Sequence, residues 1–286
     1  MTIINIHIPK NGGTTFNDII KRNFANAYVP YYKYHEENRK GIGKPLSEVE
    51  FLKFVEQCPP FIKIISGHHI HPASASNNEK YRLDYLTFIR HPIDRILSLY
   101  HYERKWSTRK PEIYGYHHCS QKPFEEYIDI RAEKDTALSN WQVYDLTGEF
   151  SGEIAIELLK NFLFVGLVEE FDKSLLLLQE ILLEKQVLSS FDTGYVHLNT
   201  AGKQKVNKSS LSSSVLEKLL VMNQEDLKLF NYAQNRLNIE LAQIENLPIK
   251  EFQHSMRCLT YSKQKSLVSF ARKIKSLPNR VKRRSN

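Results

Sequence analysis

The apolar pattern opens with Ile3-Ile4-Asn5-Ile6-His7-Ile8, a mostly β-branched run that predicts a core strand over residues 3–8. Pro9-Lys10-Asn11-Gly12-Gly13 follows as a turn, and Thr14-Thr15 opens a helix whose Phe16, Ile19, Ile20 and Phe24 share one face. Residues 26–46 mix aromatic, polar, Gly and Pro positions without a period and read as a long loop. A helix is expected over 47–57, stopped by Pro59-Pro60, and a second strand over 61–66. A third strand, 85–89, runs through Arg90-His91 to Pro92, a residue suited to a first helical position. Ile93, Ile96, Leu97 and Tyr100 then form a stripe at i, i+3, i+4 and i+7, with Asp94 and Ser98 off it. A fourth strand is expected over 162–168, backed by a helix carrying Phe171, Leu175, Leu178 and Leu182. The remainder to about residue 239 reads as helical, with Asn223 as an N-cap. Residues 262–277 read as an amphipathic helix with Leu267, Phe270, Ala271 and Ile274 on one side. Strands alternating with helices predict an α/β fold built on a central, mainly parallel sheet. The expected organisation is an α/β domain over 1–250 and a C-terminal tail over 251–286.

Composition adds exclusions. Hydrophobic residues at 41% and charged residues at 25% are ordinary for a globular chain, which excludes disorder and collagen-like repeats. The three cysteines, Cys58, Cys119 and Cys258, are too few and scattered for a disulfide framework. No apolar stretch approaches the ~20 residues that span a bilayer. The chain enters its first strand too soon for a signal peptide, so a cytoplasmic location is expected. The net charge of +8 is local: residues 252–286 hold ten Lys or Arg and no Asp or Glu, leaving residues 1–251 at −2. The body is therefore no general polyanion binder, and nucleic acid is not expected as a partner.

Chemistry concentrates at two strand ends. Gly12 and Gly13 allow close backbone approach, the following helix start favours an anion, and Lys10, Thr14 and Thr15 add charge and hydroxyls. This is a phosphate site in outline, though not G-x-x-x-x-G-K-[ST], since Lys10 precedes both glycines. The alternative is an ordinary strand–helix turn. At the second strand end, Arg90 and Ser98 could hold another phosphate group, or could serve a local ion pair and a solvated helix face.

Taken together, Ile6 to Phe16 and Arg90 to Ser98 resemble the sulfotransferases that use 3′-phosphoadenosine-5′-phosphosulfate (PAPS). The similarity is nearest to the branch of the heparan sulfate 2-O- and 6-O-sulfotransferases. It extends more loosely through Phe164-Val165-Gly166-Leu167-Val168-Glu169-Glu170-Phe171 to about residue 239. The resemblance implies a P-loop-like three-layer fold and sulfuryl transfer from PAPS, with PAP as product, to a hydroxyl, expected on a carbohydrate. It implies that Lys10, Asn11, Gly12, Gly13, Thr14 and Thr15 cradle the 5′-phosphosulfate, with Lys10 stabilising the leaving phosphate. It implies that Arg90 and Ser98, eight residues apart, hold the 3′-phosphate. The Gly67-His68 step corresponds to the family's histidine base, and the type suits proton transfer near neutrality. His69 and His71 remain alternatives for that role. A metal site joining His69 and His71 to His117-His118-Cys119 lacks a recognised spacing, and the mechanism requires no metal. On the acceptor side the expectation rests on Tyr31 and Tyr32, among aromatics that also include Tyr28 and Tyr34, and on Asn140 and Gln142. A late loop, 197–205, resembles the family's nucleotide lid; Asn199 stands near the place where arginine is usual, and Lys203 or Lys205 is the expected substitute.

Two other readings stay open. One is a P-loop small-molecule kinase, disfavoured by the missing Gly-Lys-Thr and by the lack of an evident acidic pair for magnesium. The other is an inactive nucleotide-binding or membrane-surface adaptor. The basic tail either meets an anionic inner-membrane surface or a partner enzyme, or packs on the domain.

Overall fold

The computed structural model describes residues 2–31, 48–68, 70, 83–107, 121–133, 137–196 and 206–282. Five strands form one sheet: β1 (Thr2–Ile6), β2 (Tyr28–Tyr31), β3 (Ile64–Gly67), β4 (Leu83–Ile89) and β5 (Phe164–Leu167). Their order is β2-β3-β1-β4-β5 and every pairing is parallel. Ile4 of the central strand pairs with Ile65 on one side and Tyr85 on the other. The inner strands are near-continuous apolar runs because helices cover both sheet faces. Asn5, the polar exception in β1, is buried with its amide donating to Ser66 Oγ at 2.7 Å.

The helices are α1 (Gly13–Phe24), α2 (Glu48–Gln57), α3 (Pro92–Ser107), α4 (Phe124–Ala132), α5 (Trp141–Thr147), α6 (Gly152–Lys160), α7 (Phe171–Glu184), α8 (Ser213–Met222), α9 (Gln224–Leu241) and α10 (Leu247–Lys282). The expected helical faces are the buried ones: Phe16, Ile19 and Ile20 on α1, and Leu175, Leu178 and Leu182 on α7. Ile93, Ile96, Leu97 and Tyr100 of α3 are also buried, but they join Phe124, Tyr127, Ile128 and Leu219 in a second core beside the sheet. This makes an α/β protein with a parallel sheet between helical layers.

Five expectations need correction. Residues 28–31, read as loop, form the edge strand β2; Pro30 is tolerated there because an edge strand need not donate every N–H. The second strand begins at Ile64 rather than residue 61, where Phe61 is 61% exposed. Helices α4, α5 and α6 fill a stretch for which the pattern predicts no element. Asn223 stands at the start of α9 without capping it by its side chain, which donates to Leu138 O and Leu219 O instead. The cap comes from another segment: Asn140 Oδ1 accepts from the amides of Glu225 and Asp226. The basic helix is longer than its expected 262–277 and starts at Leu247, so the expected boundary at 250 falls inside it. Among the described residues no helix is long and apolar enough to cross a membrane.

Candidate active site

Because all five strands are parallel, the segments leaving β1, β3 and β4 meet at one edge of the sheet, beside the central strand where the chain changes direction. After β1 the chain turns tightly. Asn11 N donates to Ile8 O at 3.2 Å, and Thr15 N and Phe16 N both reach Gly12 O. Lys10 and Gly12 take the left-handed region, with φ of 76° and 75°. Glycine does so without strain, whereas lysine in that region costs ~1 kcal/mol, a strain of the kind found at ligand sites. The turn delivers the first amides and positive dipole end of α1 to the sheet edge. Gly13 is required by a neighbour: a Cβ there would lie 1.6 Å from Nε2 of His7.

A buried polar hub ties this turn to the end of β4. Asn11 is buried, and its amide donates to Phe88 O and to Gln142 Oε1, both at 2.7 Å. Gln142 Oε1 also accepts from Arg90 N at 2.9 Å, and Gln142 Nε2 donates to Arg90 O at 2.8 Å. Beneath it Asp226 accepts from the amides of Gln142 and Val143 at 3.1 and 2.9 Å. Burial pushes the Asp226 carboxyl up, against the pull of Arg95, itself buried on α3. Arg90 completes the link, its Nη1 donating to Lys10 O at 2.9 Å. Its Nε is a buried donor with no hydrogen-bond partner among the described residues. Such an orphaned guanidinium N–H at a sheet edge suits an anion. Ser98 lies on α3 eight residues later, half-buried and off the apolar stripe.

His68 follows β3 and is half-buried. Its Nδ1 bonds the carbonyl of His7, and the two imidazoles stack with centroids 4.1 Å apart. A carbonyl only accepts, so Nδ1 carries the hydrogen and Nε2 is the basic nitrogen of neutral His68. His7 is held in turn by Asn17, which bonds Ser66.

Lys10 extends its ammonium over the ring of Tyr102 on α3, 3.8 Å from the centroid. Burial, then the charges of Arg90 and Arg95, hold its pKa down to about 7. Burial also lowers Arg90, opposed by the carboxylates of Glu169 and Asp94. Glu169 accepts from His91 N at 3.0 Å and so fixes the strand-to-helix turn after Arg90.

Lys10, residues 11–15, His68 and Arg90 thus share one sheet edge. Two acceptor-side expectations do not hold. Gln142 is fully buried with its side chain consumed by Asn11, Arg90 and Asp226, so it is a scaffold residue. Tyr31 is buried with its ring against Phe51 and Phe54, so it packs the edge strand onto α2 rather than standing open to an acceptor. Asn140 spends its carbonyl on the α9 cap. Tyr32, Tyr34, His69, His71, His117, His118, Cys119, Lys203 and Lys205 lie outside the described residues. His7 and Tyr102 were not expected at the site. The polar interruption of an otherwise apolar strand run is the signal that marks His7; Tyr102 carries none, because only packing brings α3 to Lys10. Among the described residues no group of three or more His, Cys, Asp or Glu is arranged to hold a metal ion.

Comparison with known proteins gives three findings. The model of the Sulfotransferase family matches residues 1–233. An uncharacterized protein of Archaeoglobus fulgidus is 27% identical over 257 residues, covering 80% of this chain and 94% of that protein. Among solved structures, mouse sulfotransferase SULT7A1 complexed with PAP aligns over 89% of this chain and 88% of that one, at 16% identity and a TM-score of 0.38.

Proposed function

Because the chain belongs to the sulfotransferase family, we propose that it uses PAPS to sulfate a hydroxyl of a carbohydrate acceptor, with His68 as the base. The observation that carries this reading is the meeting of three groups at adjacent strand ends: a histidine whose basic nitrogen is Nε2, a strained lysine turn, and an arginine bonded to that turn. The residues fit a doubly phosphorylated nucleotide. Arg90 Nε is a buried donor in want of an acceptor, and Lys10 is a cation whose charge an adjacent anion would restore.

When bound, PAPS supplies the sulfuryl group. The chain's own residues then divide the work, which in such transfers is chiefly positioning and charge stabilisation. The α1 N-terminus and the backbone of residues 11–15 bind the 5′ end, as helix starts bind phosphates. The Lys10 ammonium offsets negative charge on the departing phosphate. Arg90 and Ser98 hold the 3′-phosphate and set the nucleotide's register. His68 takes the acceptor hydroxyl proton at Nε2, while its Nδ1–H stays on the His7 carbonyl and fixes the ring. Asn11 and Gln142 keep the ends of β1 and β4 in register.

Calorimetric titration with 3′,5′-ADP (PAP), beside 5′-AMP and ATP and without added metal, tests the binding step. Preference for the 3′-phosphate, lost in Arg90→Ala, is expected; no preference would overturn the reading. Turnover of PAPS on a panel of polysaccharides and phenols tests the rest. His68→Ala should bind PAP and fail to transfer, so wild-type turnover in that variant would remove His68 as base. Transfer confined to phenols would remove the carbohydrate.

A further inference from the structure

The helix α10 presents two unlike faces. One is spent on the body: Lys250 pairs with Glu180 at 2.7 Å, buried His254 meets Thr193 and Asp172 at 2.8 and 3.0 Å, and Tyr261 OH donates to Asp18 at 3.1 Å. The other is apolar and open to solvent. Ile249, Phe252, Met256 and Leu259 recur at helical spacing and are 57%, 68%, 49% and 57% exposed. At 3.6 residues per turn, Phe252 and Met256 each lie about 160° around the helix from His254, so the face is turned away from the body. In the sequence the same period continues through Leu267, Phe270 and Ile274, with Lys263 interrupting it.

Charge says what such a face would meet. The 36 residues of α10 contain nine Lys or Arg and one Glu. A second copy of the helix laid along this stripe would bring two strongly basic segments together. An anionic lipid surface would instead attract the lysines and arginines while the apolar stripe enters the headgroup boundary.

We infer that α10 is a membrane-surface helix that seats the protein on anionic lipid through Ile249, Phe252, Met256, Leu259 and the exposed Arg257 and Lys263. The inference rests on α10 alone and stands apart from the chemistry proposed above.

The test is flotation of the full chain with vesicles of phosphatidylcholine containing roughly 30% phosphatidylserine, beside vesicles of phosphatidylcholine alone. The chain should float with the anionic vesicles, be released by salt near ~0.5 M, and stay behind with the neutral ones. The double variant Phe252→Glu/Leu259→Glu should weaken binding about tenfold or more, with its thermal midpoint held as the control for folding. Equal binding to neutral vesicles, or undiminished binding of the double variant, would overturn the inference. So would a lack of vesicle binding beside a concentration-dependent dimer that the same variant abolishes, which would put a second copy on the stripe.

Discussion

The ammonium of Lys10 gives the most quantitative handle on the site. Burial first, then Arg90 and Arg95, hold its pKa at about 7, against an ordinary lysine value near 10.4. In the ligand-free protein it is therefore half neutral at pH 7 and mostly neutral at pH 8. An adjacent phosphate favours the charged form and raises the pKa towards its ordinary value. Nucleotide binding above pH 7 must then take up a proton. With the bound value restored, affinity falls as one plus ten to the power of pH minus 7, about fivefold from pH 7 to 8 and about fiftyfold from pH 7 to 9. Calorimetry of PAP binding at pH 8, in buffers of different ionisation heat, should count an uptake of about 0.9 proton per nucleotide. Phosphate groups with a second pKa near ~6 are already ionised there and add little. In Lys10→Met the uptake and the slope should both vanish. A flat wild-type profile, or the same uptake in Lys10→Met, would refute the argument. The shift has a second consequence with a definite sign. Between about 7 and 10.4 the unfolded chain binds the proton that the folded chain has released. This group's contribution to stability therefore rises with pH across that window.

Three further predictions concern the scaffold. Gln142→Ala removes one of the two acceptors of the Asn11 amide and the side-chain partner of both backbone groups of Arg90; urea denaturation should show a loss of roughly 2–5 kcal/mol, and an unchanged midpoint would remove the hub from the account. Gly13→Ala drives a methyl onto the His7 ring, so transfer should be lost together with roughly 1–3 kcal/mol of stability; retention of wild-type turnover would show that His7 can move without consequence. At His254 burial lowers the pKa, but hydrogen bonds to Asp172 and Cys258 outweigh it and carry the value up to about 9. Because this folded value exceeds the unfolded one, His254 contributes stability fully below about pH 6.5 and loses it as pH rises through about 9. Denaturation of His254→Gln at roughly pH 6 and pH 10 should show a larger deficit at the lower value, and an equal deficit at both would refute the assignment.

Much of this protein is legible from its residues alone, and for a common reason. Where a feature is local, sequence contains it. The β-branched run at the start, the Lys10–Gly13 turn and the stripe Ile93, Ile96, Leu97, Tyr100 each depend on neighbours within a few residues, and each lies where the pattern predicts. The eight-residue step from Arg90 to Ser98 needs only a strand end followed by two helical turns. Features built from distant segments were decided by tertiary structure. Residues 28–31 form a strand because β3 offers them an edge, since Val29 and Pro30 carry little pattern of their own. Gln142 reads as an acceptor-side residue until Asn11, Arg90 and Asp226, from three other segments, close around it. Arg95 is fully buried because acidic groups from α5 and α9 meet it there, which no periodicity encodes. The pairing of His7 with His68 follows from the parallel register that sets Ile6 beside Gly67. Spacing along a chain can nominate residues for a site, but hydrogen-bond partners and burial are properties of the packed chain, and they separate the residues that can face a ligand from those that hold the others in place.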